Sequence, residues 1–383
     1  MSFQELAREL KEVFRRGVRK ALDDEAFNDL AVRVFRFQYR ANAPYRAFVD
    51  RRGLDPGAVD RWEAIPPVPT RAFKTVPLVA GAREDVERVF RTSGTSRGPE
   101  ERGEHHIRDL SLYRASLLPP FRAHLLPEGR PLPVLALLPS PREVPDSSLS
   151  FMVGEVAELW AREHGDAGGG GRETFFVDPD EGIREGAFWE ALLEARDRDE
   201  PVVLAGTAFA FVHWLERVED RGRRVALPAG SRIMETGGFK GRSRTMSRDR
   251  LYRGLEAAFK IPPERVVNEY GMTELLSQFY EPILVEGGPT PGSSRYHRGP
   301  PWVRTRVLDP RSLDPLPQGD VGILAHLDLA NLGSVSGVLT EDLGEAVPGG
   351  FRLRGRSRGA EPRGCSLAME TFLAGAGRWD HGH

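Results

Sequence analysis

Two stretches of this sequence carry side chains whose types and spacing could do chemistry. At residues 92–98, TSGTSRG sets the hydroxyls of Thr92, Ser93, Thr95 and Ser96 around Gly94 and Gly98. Glycine lets backbone N–H groups approach an anion closely, and hydroxyls add donors for phosphate oxygens, so such a loop can cradle a triphosphate. It is not a Walker A loop, because GxxxxGK[ST] is absent and the chain contains no Gly-Lys dipeptide. Standing alone, the same residues would equally make a surface turn. The second stretch holds Cys365, the only cysteine, which has no disulfide partner and belongs to no CxxC metal site. It is either a small buried apolar residue or a reactive thiol. Of 54 basic residues only five are lysines (Lys11, Lys20, Lys74, Lys240 and Lys260), so an ammonium needed by a mechanism has few sources.

Further along come METGGFKGR at 234–242, NEYGMTE at 268–274, TEDLG at 340–344 and RLRGRSRGAEPRGCSL at 352–367. In this order, behind the 92–98 loop, they resemble the adenylate-forming superfamily of acyl and aminoacyl ligases. Within it they resemble the acyl-protein synthetase branch, the fatty-acid-activating component of bacterial bioluminescence operons. PDSSLSFM, the chain length and the ending RGCSLA are similar to that branch as well. The resemblance spans roughly residues 60–373.

The resemblance implies a role for each matching position. Thr92 to Gly98 would grip the β- and γ-phosphates of ATP, although the family's lysine at the loop's end is missing and Arg97 and Arg102 are the local cations. Gly237 and Gly238 would admit adenine, with Phe239 stacking on it and Tyr270 and Gly271 flanking it. Thr273 would hydrogen-bond the α-phosphate, and Glu274 would hold Mg²⁺, a hard cation that prefers carboxylate and phosphate oxygens. Asp342 would accept from both ribose hydroxyls and Arg356 would donate to the same ribose, although the family has glycine where Glu341 stands. Cys365 would take the acyl group as a thioester, its thiolate favoured by Arg358 or Arg363, and pass it to a partner acyl reductase or an acyl carrier protein. Most superfamily members add a C-terminal domain of roughly a hundred residues with a catalytic lysine. Here 27 residues follow Arg356 and none is lysine. Charge neutralisation would then fall to Mg²⁺ and Lys240, with Arg242 or Arg97 as alternatives.

These residues need a scaffold, and the chain's patterns supply one. Apolar residues make up 40% of 383 and the net charge is −2, so a sizeable core is expected and neither nucleic acid nor an anionic membrane is an expected partner. No apolar run reaches about 18 residues and the N-terminus lacks a signal-peptide pattern, which predicts a cytoplasmic protein without a transmembrane segment. Residues 1–60 show helical spacing; 61–290 alternate apolar runs (LPVLALLPS, ETFFVD, PVVLAG, SRIMETGG) with amphipathic stretches. Residues 291–355 read as a small β-rich subdomain, and 356–383 as a short tail carrying Cys365. The expected fold class is α/β: a large adenylate-forming N-terminal domain of packed sheets and helices, lacking the full lysine-bearing C-terminal domain. In GTAFAFVHW, Phe209, Phe211 and Trp214 could line an acyl tunnel or pack as a helical core, and of the adjacent His105 and His106 at most one would face a ligand. The expected activity is ATP-dependent conversion of a carboxylic acid, a medium or long fatty acid, to an acyl-adenylate, with transfer to Cys365 and a partner. The alternatives are a coenzyme A ligase with the same first step and a catalytically silent nucleotide-binding protein.

Overall fold

A computed structural model describes residues 1–92, 102–163, 173–237, 246–287, 295–356 and 363–376. The chain opens on three helices, α1 (Phe3–Arg15), α2 (Asp24–Ala41) and α3 (Ala43–Arg51), then a short strand β1 (Val68–Pro69) and a hairpin of β2 (Arg88–Arg91) and β3 (Glu104–Ile107). Next come α4 (Leu110–Leu125), β4 (Val134–Leu137), α5 (Ser148–Glu163), the small pair β5 (Val177–Asp178) and β6 (Gly182–Ile183), and α6 (Glu185–Asp197). Strand–helix alternation continues through β7 (Val203–Thr207), α7 (Ala208–Arg221), β8 (Arg232–Thr236), α8 (Arg248–Phe259), β9 (Val266–Tyr270) and β10 (Phe279–Tyr280). The last stretch holds β11 (Val303–Leu308), β12 (Val321–Asp328), β13 (Gly337–Val347), β14 (Gly350–Arg356) and α9 (Arg363–Ala376). The mixed α/β class expected from the sequence is the class observed.

The chain divides into two compact units, each assembled from separate stretches. One comprises residues 1–119, 272–278 and 298–383; the other comprises 120–271 and 279–297. In the first, the eleven-residue β13 is the organising strand: β12 pairs antiparallel along one edge, while β14 (antiparallel) and β1 (parallel) share the other. Helix α1 begins with a capping box between Ser2 and Glu5, and its buried face is Leu6, Leu10, Val13 and Phe14, the i, i+4, i+7, i+8 spacing of an amphipathic helix. Phe14 packs against Trp302, ring centroids 4.6 Å apart.

In the second unit, β4, β7, β8 and β9 run parallel in the order β9-β8-β7-β4, with β10 antiparallel on the β9 edge. Both strands are covered on both faces: VVLAG is a continuous apolar run, while RIMET is buried with its polar Arg232, Glu235 and Thr236 hydrogen-bonded. Thr207 accepts from the N–H of Ala210 and so caps α7, while Ser247 caps α8 and Lys260 ends it in the left-handed region at φ 58°. Phe211 and Trp214 lie in this unit's hydrophobic core, Trp214 edge-on to Phe188 at 4.8 Å, so they are packing residues; Phe209 is exposed beside His213. Among the described residues no helix is long and apolar enough to cross a membrane.

Candidate functional site

In the first unit, the β2–β3 hairpin carries the glycine- and hydroxyl-rich loop. Its neck is closed by backbone and side chain together: Thr92 N–H donates to the Gly103 carbonyl at 2.9 Å, and Gly103 N–H donates back to Thr92 Oγ1 at 2.9 Å. Arg102 Nε adds a third bond, to the Thr92 carbonyl at 2.7 Å. A hydroxyl that accepts still has its own proton to donate, so Thr92 keeps a donor. A Cβ at Gly103 would be tight, 3.2 Å from Thr92 Cγ2 and 3.4 Å from Lys74 Cγ, so a larger residue there would have to push the Thr92 side chain aside by a few tenths of an ångström. Ser93, Gly94, Thr95, Ser96 and Gly98 lie outside the described residues.

In residues 273–277 of the same unit, side chains hold five backbone polar groups. His105 Nδ1 lies 2.7 Å from the Thr273 carbonyl oxygen. Asn331 Nδ2 donates to the Glu274 carbonyl at 2.8 Å, and its Oδ1 accepts from Leu276 N–H at 2.9 Å. Asp328 accepts from Leu276 N–H (3.1 Å), Ser277 N–H (2.9 Å), the Ser277 hydroxyl (2.7 Å) and Ala330 N–H (3.0 Å). Ser116 of α4 donates to the Leu276 carbonyl at 2.9 Å, and Gln38 of α2 holds Asn331 from behind through its carbonyl at 2.9 Å. Asp328 is fully buried, and burial pushes its carboxyl up to about 6; burial drives the His105 ring down to about 4, so that ring is neutral at pH 7. Thr273 is half-buried and the Glu274 side chain is buried.

Asp342 and Arg356 meet on the β-rich sheet. They are direct register partners across β13 and β14, and Arg356 Nε donates to Asp342 Oδ1 at 2.9 Å. Asp342 is buried and Arg356 exposed, so the carboxylate is fixed in the sheet while the guanidinium reaches outward. Glu341, alternating to the other face, pairs with Arg71 at 2.8 Å. Cys365 is the third residue of α9, in its first turn.

In the second unit, Gly237 ends β8 with φ +78°, a conformation that favours glycine; Gly238, Phe239 and Lys240 lie outside the described residues. Tyr270 closes β9, buried between Phe279 (5.7 Å) and His297 (5.9 Å), and Gly271 is exposed. Beneath Tyr270 lies a buried polar network absent from the sequence reading. Glu235 Oε1 accepts from Tyr252 (2.9 Å) and Asn268 (2.7 Å), Glu281 pairs with Arg248 (3.0 Å) and Arg295 (2.7 Å), and Thr236 donates to its register partner Glu269. Burial raises both Glu235 and Glu269 to about 7.

Asp328, Asn331 and Glu269 were not singled out from the sequence, and His105 only as one of two adjacent histidines of which at most one would face a ligand. A signal was available for two of them: Asp328 and Asn331, like His326, interrupt the apolar run ILAHLDLANLG, and a polar residue inside a buried run must be satisfied by something specific.

With this geometry in place, the chain can be compared with known proteins. The sequence model of the acyl-protein synthetase family, LuxE, matches residues 172–374. The chain belongs to that family. Two relatives, long-chain-fatty-acid–luciferin-component ligases from Vibrio harveyi and Aliivibrio fischeri, are each 24% identical; the alignments cover 89% and 92% of this chain and 86% and 90% of theirs. Among solved structures, 2-hydroxyisobutyryl-CoA ligase in complex with 2-HIB-AMP and CoA shares the fold, with a TM-score of 0.58 at 17% identity over 89% of this chain and 70% of that one. This acyl-protein synthetase is thus an AMP-forming ligase that activates a carboxylic acid with ATP.

Proposed function

We propose that the acid is a medium- or long-chain fatty acid and that the acyl group moves from AMP to Cys365 and then to a partner acyl reductase. The relatives named for a long-chain fatty acid support the acid class. In the first step a carboxylate oxygen attacks the α-phosphorus of ATP, the bond to the β-phosphate bridging oxygen breaks, and pyrophosphate leaves. In the second the Cys365 thiolate attacks the acyl carbon and AMP departs. The first turn of a helix favours a thiolate, which suits the position of Cys365 in α9.

The observation that carries this reading is the pinned Thr273–Glu274 pair within the NEYGMTE string. Mg²⁺ is commonly held by one or two carboxylates together with substrate phosphates, and the Glu274 carboxylate is of that kind. Glu274 would hold it, and the ion when bound neutralises charge on the phosphates. Thr273 donates to the α-phosphate, residues 92–98 hold the β- and γ-phosphates, Asp342 and Arg356 bind ribose, and Gly237, Gly238, Phe239, Tyr270 and Gly271 surround adenine. Lys240 supplies the cation that offsets the charge developing as the acyl-adenylate forms.

Replacing Thr92, Ser93 and Thr95 together by Ala tests the phosphate loop. The expected result is loss of acid-dependent ATP–pyrophosphate exchange in a variant that keeps the wild-type circular dichroism and melting temperature. Full exchange in that folded variant would return the loop to a surface turn.

A further inference from the structure

We propose that His105, with Asn331, is a positioning residue for Glu274, an inference that rests on the metal-binding reading of Glu274. A side chain's direction is set by the two peptide planes that flank its Cα, since the peptide unit itself is planar. Both planes around Glu274 are held by buried side chains. The Thr273 carbonyl, in the plane before it, faces His105 Nδ1 at 2.7 Å; the Glu274 carbonyl, in the plane after it, accepts from Asn331 Nδ2 at 2.8 Å. A carbonyl can only accept, so His105 is the Nδ1–H tautomer and donates.

His105 is in turn fixed by its own surroundings. It stands opposite Phe90 in the β2–β3 register, is 1% exposed, and meets the Phe73 ring edge-on at 5.5 Å. Its strand follows directly on Gly103, which closes the neck with Thr92, so one bond from a buried ring joins the base of the phosphate loop to the peptide that aims Glu274. Its other nitrogen, Nε2, is buried without a hydrogen-bond partner among the described residues, which leaves the Thr273 bond as the ring's polar interaction. His106 is the residue whose ring does not reach Thr273; its Nε2 lies 3.5 Å from Glu104.

The test compares three substitutions in the full chain. His105→Asn places an amide N–H at the same number of bonds from Cα as Nδ1, His105→Gln places it one bond farther, and His105→Phe removes it while keeping a ring. Misplacing a catalytic group by about 1 Å can reduce the rate about 100-fold. His105→Phe and His105→Gln are therefore expected to lower the exchange rate about 10- to 100-fold and raise the Mg²⁺ concentration for half-maximal rate, with KM for the acid unchanged; His105→Asn restores both. Hydrogen exchange of the metal-free chain, read by mass spectrometry, should show residues 272–278 losing protection in His105→Phe and His105→Gln and regaining it in His105→Asn. Wild-type protection, rate and Mg²⁺ dependence in folded His105→Phe or His105→Gln would overturn the proposal. Protection that follows the predicted order while Mg²⁺ dependence stays flat in all variants would retain the clamp and refute the metal role of Glu274.

Discussion

Replacing Glu274 by Gln is expected to lower ATP–pyrophosphate exchange about 100- to 10,000-fold, the scale of losing a metal ligand that offsets phosphate charge in the transition state. The substitution isolates charge from shape. The backbone at 273 and 274 is held by His105 and Asn331 whatever side chain residue 274 carries, and the amide has the volume of the carboxylate it replaces. The melting temperature should therefore move little while the rate collapses. The same variant should need much more Mg²⁺ for half-maximal exchange. A variant that keeps the wild-type rate and Mg²⁺ requirement would assign Glu274 to structure alone.

The second large effect falls on stability. Asp328→Ala removes an acceptor used by four donors; Leu276 N–H keeps a second acceptor, Asn331 Oδ1, and the Ser277 hydroxyl still accepts from Trp302 Nε1. Ser277 N–H and Ala330 N–H are left without an acceptor in a fully buried site. Each unsatisfied buried group is worth about 1–3 kcal/mol, and a water entering the space left by the carboxylate recovers part, so the net loss is expected at about 3–5 kcal/mol. Urea unfolding measures it as the shift in midpoint multiplied by the slope. A loss below about 1 kcal/mol would mean that the 273–277 segment is not held by Asp328.

The parts of this molecule legible in the sequence are those that local patterns encode. Strands β7 and β8 announce themselves because both faces are covered, and α1 and α7 because their apolar residues recur at helical spacing. The same spacing explains the aromatic stretch at 206–214, whose Phe211 and Trp214 sit three apart on one helix face and turn into the core. Asp342 and Arg356 are fourteen residues apart in sequence, and the β13–β14 register makes them neighbours. The clamp on residues 273–277 was not legible: His105 is 168 positions from Thr273 and Asn331 is 57 from Glu274, so no window along the chain contains the pairing. The division into two discontinuous units has the same character, since it is a property of tertiary contacts and no shift in composition marks it.

The central claim, that this chain activates a carboxylic acid with ATP and receives the acyl group itself, is tested most directly by intact mass. The protein and its Cys365→Ala variant would be incubated with ATP, Mg²⁺ and a mixture of fatty acids of graded length. The predicted result is an ATP-dependent, hydroxylamine-sensitive gain on the wild-type chain equal to one acyl group, absent from the variant although the variant still releases pyrophosphate. Pyrophosphate release with no adduct on either chain would contradict Cys365 as acceptor, and turnover that then depended on added coenzyme A would name the acceptor instead.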